Sequence, residues 1–130
     1  MPKTAIHSTG APKAIGPYSQ AVHVGNLLFC SGQIPLVPET GVLVEGDVAA
    51  QTRRVMDNLS AVLAEAGASW QDVVKTTIYL TDLRNFEAVN AVYAQYVHAV
   101  APARATVQVT ALPKGAAVEI EAVAHLQRDP

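Results

Sequence analysis

Arg104, Glu119 and Glu121 carry the charges of two strand-like segments, 102–110 and 118–126, in a chain of 130 residues. Charged residues make up 15% of the chain, against a usual ~25%, so a guanidinium and two carboxylates in such apolar surroundings need a reason. An arginine presents a planar fork that matches a carboxylate. A carboxylate held near a bound molecule can orient or deprotonate water. Together they describe a site that grips a small carboxylate and aims water at it. Plainer arrangements use the same residues: an ion pair from Arg104 to Glu119, Glu121 or an N-terminal acid, and a solvated strand face for the glutamates. Spacing alone favours these. A simple hairpin through 111–116 would set Arg104 opposite residue 124 and leave Glu119 roughly 16 Å further along. A small substrate cannot span that gap. Either the last strand skips a neighbour in the sheet or the two groups belong to different subunits.

Other positions invite a chemical reading. Asn90 lies in the apolar stripe Phe86, Val89, Tyr93 and needs partners, either in a pocket or as a tether between helix and loop. Tyr18 follows the turn Gly16-Pro17. Ser31-Gly32 interrupts an apolar strand, where a glycine marks a bulge, a close approach to a ligand, or a tight sheet–helix contact. Cys30, the sole cysteine, sits among apolar neighbours and reads as an inert buried thiol. His7, His23, His98 and His125 show no metal-ligand spacing. The chain has no G-x-G-x-x-G, P-loop or G-x-S-x-G motif. Chemistry without metal or cofactor is therefore expected.

The elements that must position these residues follow from periodicity and punctuation. Strands are expected at 18–24 and 27–33, closed by the hairpin turn Gly25-Asn26. A loop at 35–46 is broken by Pro35, Pro38, Gly41 and Gly46. A helix over 48–66 has Asp47 as N-cap and Gly67 at its C-terminal turn, with Val48, Val55, Leu59, Val62, Leu63 and Ala66 on one stripe. The β-branched run 72–81 reads as a strand. A second helix is expected over 83–99, capped by Asp82, with Leu83, Phe86, Val89, Tyr93, Tyr96 and Val97 inward. In the strand 104–110, Ala105, Val107 and Val109 alternate with Arg104, Thr106, Gln108 and Thr110, and the apolar set is assigned to the core. Helical connections suit parallel strand neighbours. The expected fold is one α+β domain, 1–130: a mixed sheet with two helices on one face, the other face being wet or covered by a partner.

Bulk composition narrows the partners. A net charge of −2 with scattered basic residues argues against nucleic acid. No segment is apolar and long enough to span a membrane, and the first residues lack the apolar core of a secretory signal. A lone cysteine fits a reducing compartment, so a cytoplasmic location is expected. Apolar residues reach 50%, which points to surface buried against another copy.

The blocks IGPYSQAV (15–22), SGQIP (31–35), VVKTTIYLTDLRNFEAVNAVY (73–93), PARATVQVTALPKG (102–115) and VEIEAVA (118–124) keep an order and spacing that resemble the Rid/YjgF family of reactive-intermediate imine deaminases. The resemblance implies a chorismate-mutase-like fold and a homotrimer with clefts between subunits. It implies cofactor-free hydrolysis of 2-imino acids, such as 2-iminopropanoate and 2-iminobutanoate, released as enamines by pyridoxal-phosphate enzymes. Arg104 would bind the substrate carboxylate and Glu119 would position water. Tyr18, Ser31, Gly32, Asn90 and Thr106 would line the cleft. Many members have cysteine where this chain has Thr106, so thiol-based regulation there is not possible. Two rival readings remain: a non-catalytic trimer that binds small carboxylates, in which Glu119 would be dispensable, and a ribonuclease, which the acidic balance disfavours.

Overall fold

In the computed structural model, residues 2–127 are described. Gly25 takes φ +57° and folds strand β2 (Ala21–Val24) back onto β3 (Leu27–Gln33), as the Gly25-Asn26 turn predicts. A short strand β1 (Thr4–Ile6), not anticipated from the sequence, pairs with β2 from outside. Tyr18, Ser19 and Gln20, expected within the first strand, precede it.

Helix α1 (Val48–Glu65) begins where Asp47 accepts a hydrogen bond from the Ala50 amide at 2.9 Å. It ends before Gly67, whose φ of +78° few other residues adopt. Its stripe Val55, Leu59, Val62 and Leu63 is wholly buried. Strand β4 (Val73–Leu80) follows. The second helix is shorter than its periodicity suggests. Asp82 caps a single 3₁₀ turn, Leu83–Asn85, and α2 runs only Phe86–Tyr93. Beyond it the amides of Gln95 and Tyr96 reach back three residues, to Val92 and Tyr93, which tightens and ends the helix. Leu83 and Phe86, expected inward, are substantially exposed.

Strands β5 (Ala103–Gln108) and β6 (Val118–His125) complete a six-stranded sheet in the order β1-β2-β3-β6-β4-β5. The last strand skips β5 and inserts between β3 and β4, antiparallel to both. Hence α1 links two parallel strands with β6 between them, while α2 links the adjacent parallel pair β4–β5. The core lies between the helices and one sheet face. Leu28, Ile78, Leu80 and Ile120 are fully buried there against Met56, Leu59 and Leu63, each contributing about 1.5–3 kcal/mol. That apolar set fixes the register, because a one-residue slip would turn every inward side chain outward.

One facing assignment is reversed. Arg104 pairs in register with Thr76, and Thr106 with Ile78, both core-side residues of β4. Arg104, Thr106 and Gln108 therefore point to the helix side, while Ala105 and Val107 point to the open face. Because β5 is an edge strand, packing of the sheet centre rather than its own alternation decides which side is which.

Candidate functional site

The expected site residues fall in two places. The first is built on an irregularity in β3. Three steps along β3, Cys30 to Gln33, oppose two along β6, Ala122 to Ile120, so Ser31-Gly32 forms a bulge. The Ser31 amide donates to the Gln20 carbonyl at 2.9 Å and its hydroxyl donates to the Ser19 carbonyl at 2.6 Å. These bonds tie the Tyr18 segment to the bulge. The buried Gln20 side chain holds the preceding strap: Oε1 accepts from the Ser8 amide at 2.6 Å, and Nε2 donates to the Ser8 and Pro12 carbonyls at 3.1 and 2.8 Å. A cavity of about 440 Å³ results, lined by Tyr18, Gly32, Ile34, Leu36, Lys114 and Glu119 among others.

The Glu119 carboxyl group lies directly over Gly32. A Cβ on Gly32 would overlap Oε2 of Glu119 and stand 2.9 Å from its carboxyl carbon. The glycine thus marks a close approach, but to a carboxylate of the same chain and not to a helix. Glu119 is partly buried, and among the described residues no donor or cation meets its carboxylate. Burial, and then the neighbouring Glu121, push its pKa above the usual carboxylate range. Glu121 is itself held by the Tyr79 hydroxyl, which donates to Oε1 at 3.1 Å.

The second place is the seam between α2 and β5. Arg104 Nη1 donates to Oδ1 of Asn90 at 2.6 Å. Its guanidinium carbon lies 5.5 Å from the Phe86 ring centre and 5.3 Å from that of Tyr93. Asn90 thus joins the helix to the arginine, and both line an open pocket beside α2. Among the described residues Arg104 makes no ion pair, so the structural salt bridge to Glu119 or Glu121 does not form. The guanidinium keeps donors to spare for a carboxylate. Two residues on, the enclosed Thr106 hydroxyl oxygen has no hydrogen-bond partner among the described residues.

Within one chain these groups stay apart. Glu119 registers with Tyr79 and Arg104 with Thr76, three residues away along β4. An odd separation puts the two on opposite sheet faces. The hairpin arithmetic is superseded, since β6 skips a neighbour, yet the sheet itself now stands between the two groups. Sequence reasoning placed Phe86 and Tyr93 in a core stripe and missed their contact with Arg104. The signal was present in the 86, 90, 93 spacing, which aligns all three on one side of α2. Cys30 is buried, and burial pushes its thiol up to about 12, as an inert thiol requires. No group of three or more potential metal ligands occurs among the described residues, and no helix there is long and apolar enough to cross a membrane.

A mixed six-stranded sheet backed by two helices, with a carboxylate over a strand bulge and an arginine seated on the far side, defines a small α+β protein that divides its polar machinery between two surfaces. The model of the endoribonuclease L-PSP family matches residues 8–126, and the chain belongs to that family, the Rid/YjgF family its sequence blocks resemble. It is 60% identical to protein DfrA of Myxococcus xanthus, over 95% of this chain and 96% of that one. It is 48% identical to the human 2-iminobutanoate/2-iminopropanoate deaminase, over 94% and 89% of the two chains. The crystal structure of E. coli TdcF with bound serine superposes with a TM-score of 0.91 at 42% identity, covering 95% of this chain and 99% of that one.

Proposed function

We propose that this protein is a cofactor-independent deaminase that hydrolyses 2-imino acids to 2-oxo acids and ammonia. On this reading the site is completed only between copies of the chain, in a homotrimer. One subunit supplies Arg104, Asn90 and Thr106, and its neighbour supplies Tyr18, Ser31, Gly32 and Glu119. The observation that carries this is the pair of unmatched groups on opposite faces: a guanidinium with free donors and a partly buried carboxylate with no partner. The open sheet face supports assembly, because Phe29, Val74 and Val107 are each more than 40% exposed there or at its margin. The deaminase name of the human relative and the serine held by TdcF, an amino acid with its own carboxylate, support the substrate class. A lone cysteine, which can form no intrachain disulfide, fits the reducing cytoplasm.

The chemistry asks little of the protein. Arg104 fixes the substrate carboxylate and presents the imine carbon towards Glu119. Glu119 takes a proton from water as the water oxygen bonds to that carbon, and the imine nitrogen gains a proton. The carbinolamine then collapses: the hydroxyl proton passes to the nitrogen, the C–N bond breaks, and ammonia leaves as the carbonyl forms. Orientation and one aimed water suffice, since iminium groups already hydrolyse in water.

A coupled assay tests the reading. A pyridoxal-phosphate dehydratase generates 2-iminobutanoate, and 2-oxobutanoate release is followed with and without this protein. Faster release is expected. An unchanged rate across a range of protein concentrations overturns the assignment. The site also carries a pH signature. Glu119 must be ionised to accept a proton, and burial and Glu121 both raise its pKa. Glu121→Gln removes the second cause, so the acid limb of the kcat profile should move to lower pH. A limb that stays in place would show that another group controls it.

A further inference from the structure

We propose that Phe86 and Tyr93 are positioning residues, whose ring faces hold the Arg104 guanidinium in the orientation that receives a substrate carboxylate. The inference rests on the carboxylate-binding role given to Arg104 above. Arg104 stands on an edge strand and is exposed, and a free arginine there would sample many rotamers. Binding a ligand would then require ordering that side chain at the moment of contact, which weakens affinity. The structure shows three restraints instead. Asn90 accepts from Nη1 at 2.6 Å, and the guanidinium carbon lies 5.3 Å and 5.5 Å from two aromatic centres. Both distances fall inside the ~6 Å range in which a ring face attracts a cation.

The restraints are themselves anchored. The Tyr93 ring is buried, and its hydroxyl shares a hydrogen bond of 2.7 Å with the buried Thr76 Oγ1. Thr76 is the β4 residue in register with Arg104, so the same strand level that places the arginine also fixes the ring beside it. Phe86 is different. It opens α2 and stays 36% exposed, which is a poor use of a large apolar side chain in the core. Its proximity to the guanidinium accounts for it. Phe86, Asn90 and Tyr93 follow one another at intervals of four and three residues, so one stripe of a two-turn helix presents ring, amide and ring.

The test replaces Phe86 with a series of ring-fluorinated phenylalanines, which drain the negative ring face with little change of shape. Two quantities are read: KM for the imino acid in the coupled assay, and Kd for 2-oxobutanoate by calorimetry. Both should rise stepwise with fluorination, by about two- to fivefold at full substitution, with kcat nearly unchanged and the melting temperature constant. Constant KM and Kd across the fluorinated series would overturn the proposal, as would wild-type protein that does not bind 2-oxobutanoate. A wild type that binds 2-oxobutanoate but does not turn over imine would remove the deaminase reading. The Kd series would then still decide the role of the rings.

Discussion

An equimolar mixture of Arg104→Ala and Glu119→Ala proteins, each inactive alone, should recover about a quarter of wild-type activity once subunits have exchanged. The reason is geometric. Arg104 and Glu119 project from opposite faces of one sheet, so no substrate of a few carbons touches both within a chain. If the site joins the arginine of one copy to the glutamate of the next around a closed ring, each interface draws one member from each of two subunits. With random assembly, half the subunits offer an intact arginine and half an intact glutamate, and the two choices are independent. A site held within one chain would give no recovery at any mixing ratio. Mixing must follow partial denaturation and refolding, with the oligomer mass checked by light scattering. Recovery that tracks the product of the two subunit fractions would locate the seam. Activity that stays at the level of the single variants would refute the composite site while leaving the fold untouched.

Gly32→Ala should lower kcat by about two orders of magnitude, as expected when a catalytic group shifts by an ångström, while leaving the melting temperature within a few degrees. The new methyl group would occupy the space of the Glu119 carboxylate, 2.9 Å from its carboxyl carbon and 3.1 Å from Cγ. The clash falls on the far end of a flexible side chain, not on backbone, so the fold can yield. Gly32 does not lie in the left-handed region, and alanine fits its backbone without strain. The smaller conformational freedom of an unfolded alanine offsets part of any loss. What cannot be kept is the position of the carboxylate. Gly32→Ala with full activity would mean that Glu119 need not sit over the bulge to do its work. A variant that loses activity and unfolds early would mean that the bulge is a packing feature.

A stability cost accompanies this arrangement. Because the folded state raises the pKa of Glu119, it binds that proton more tightly than the unfolded chain does. The stability associated with Glu119 is therefore greatest below the ordinary carboxylate range and is lost as pH rises through the folded-state value. An ionised carboxylate kept partly buried and without a donor suits a base waiting for substrate and does nothing for the fold.

Local chemistry was legible in advance wherever it acts over a few residues. Asp47 and Gly67 bound the first helix, Gly25-Asn26 closed the hairpin, and the stripe Val55, Leu59, Val62, Leu63 found the core. Arg104, Glu119 and Gly32 stood out because a charge in an apolar strand, or a glycine within one, conflicts with local preference. The failures were of another kind. The second helix stopped at Tyr93, and the apolar alternation of β5 turned outward. Ala105 and Val107 look like core residues by pattern, but an edge strand takes its facing from its neighbour, and β4 had already committed Thr76 and Ile78 to the helix side. Taken alone, the sequence determined which residues carry charge out of place, where helix and turn begin, and the family to which the chain belongs. The tertiary structure alone decided that β6 inserts between β3 and β4, that Arg104 and Glu119 lie on opposite faces, and that the rings of Phe86 and Tyr93 lie against the arginine. Strand order and facing depend on contacts between segments far apart in the chain, and no local preference encodes them.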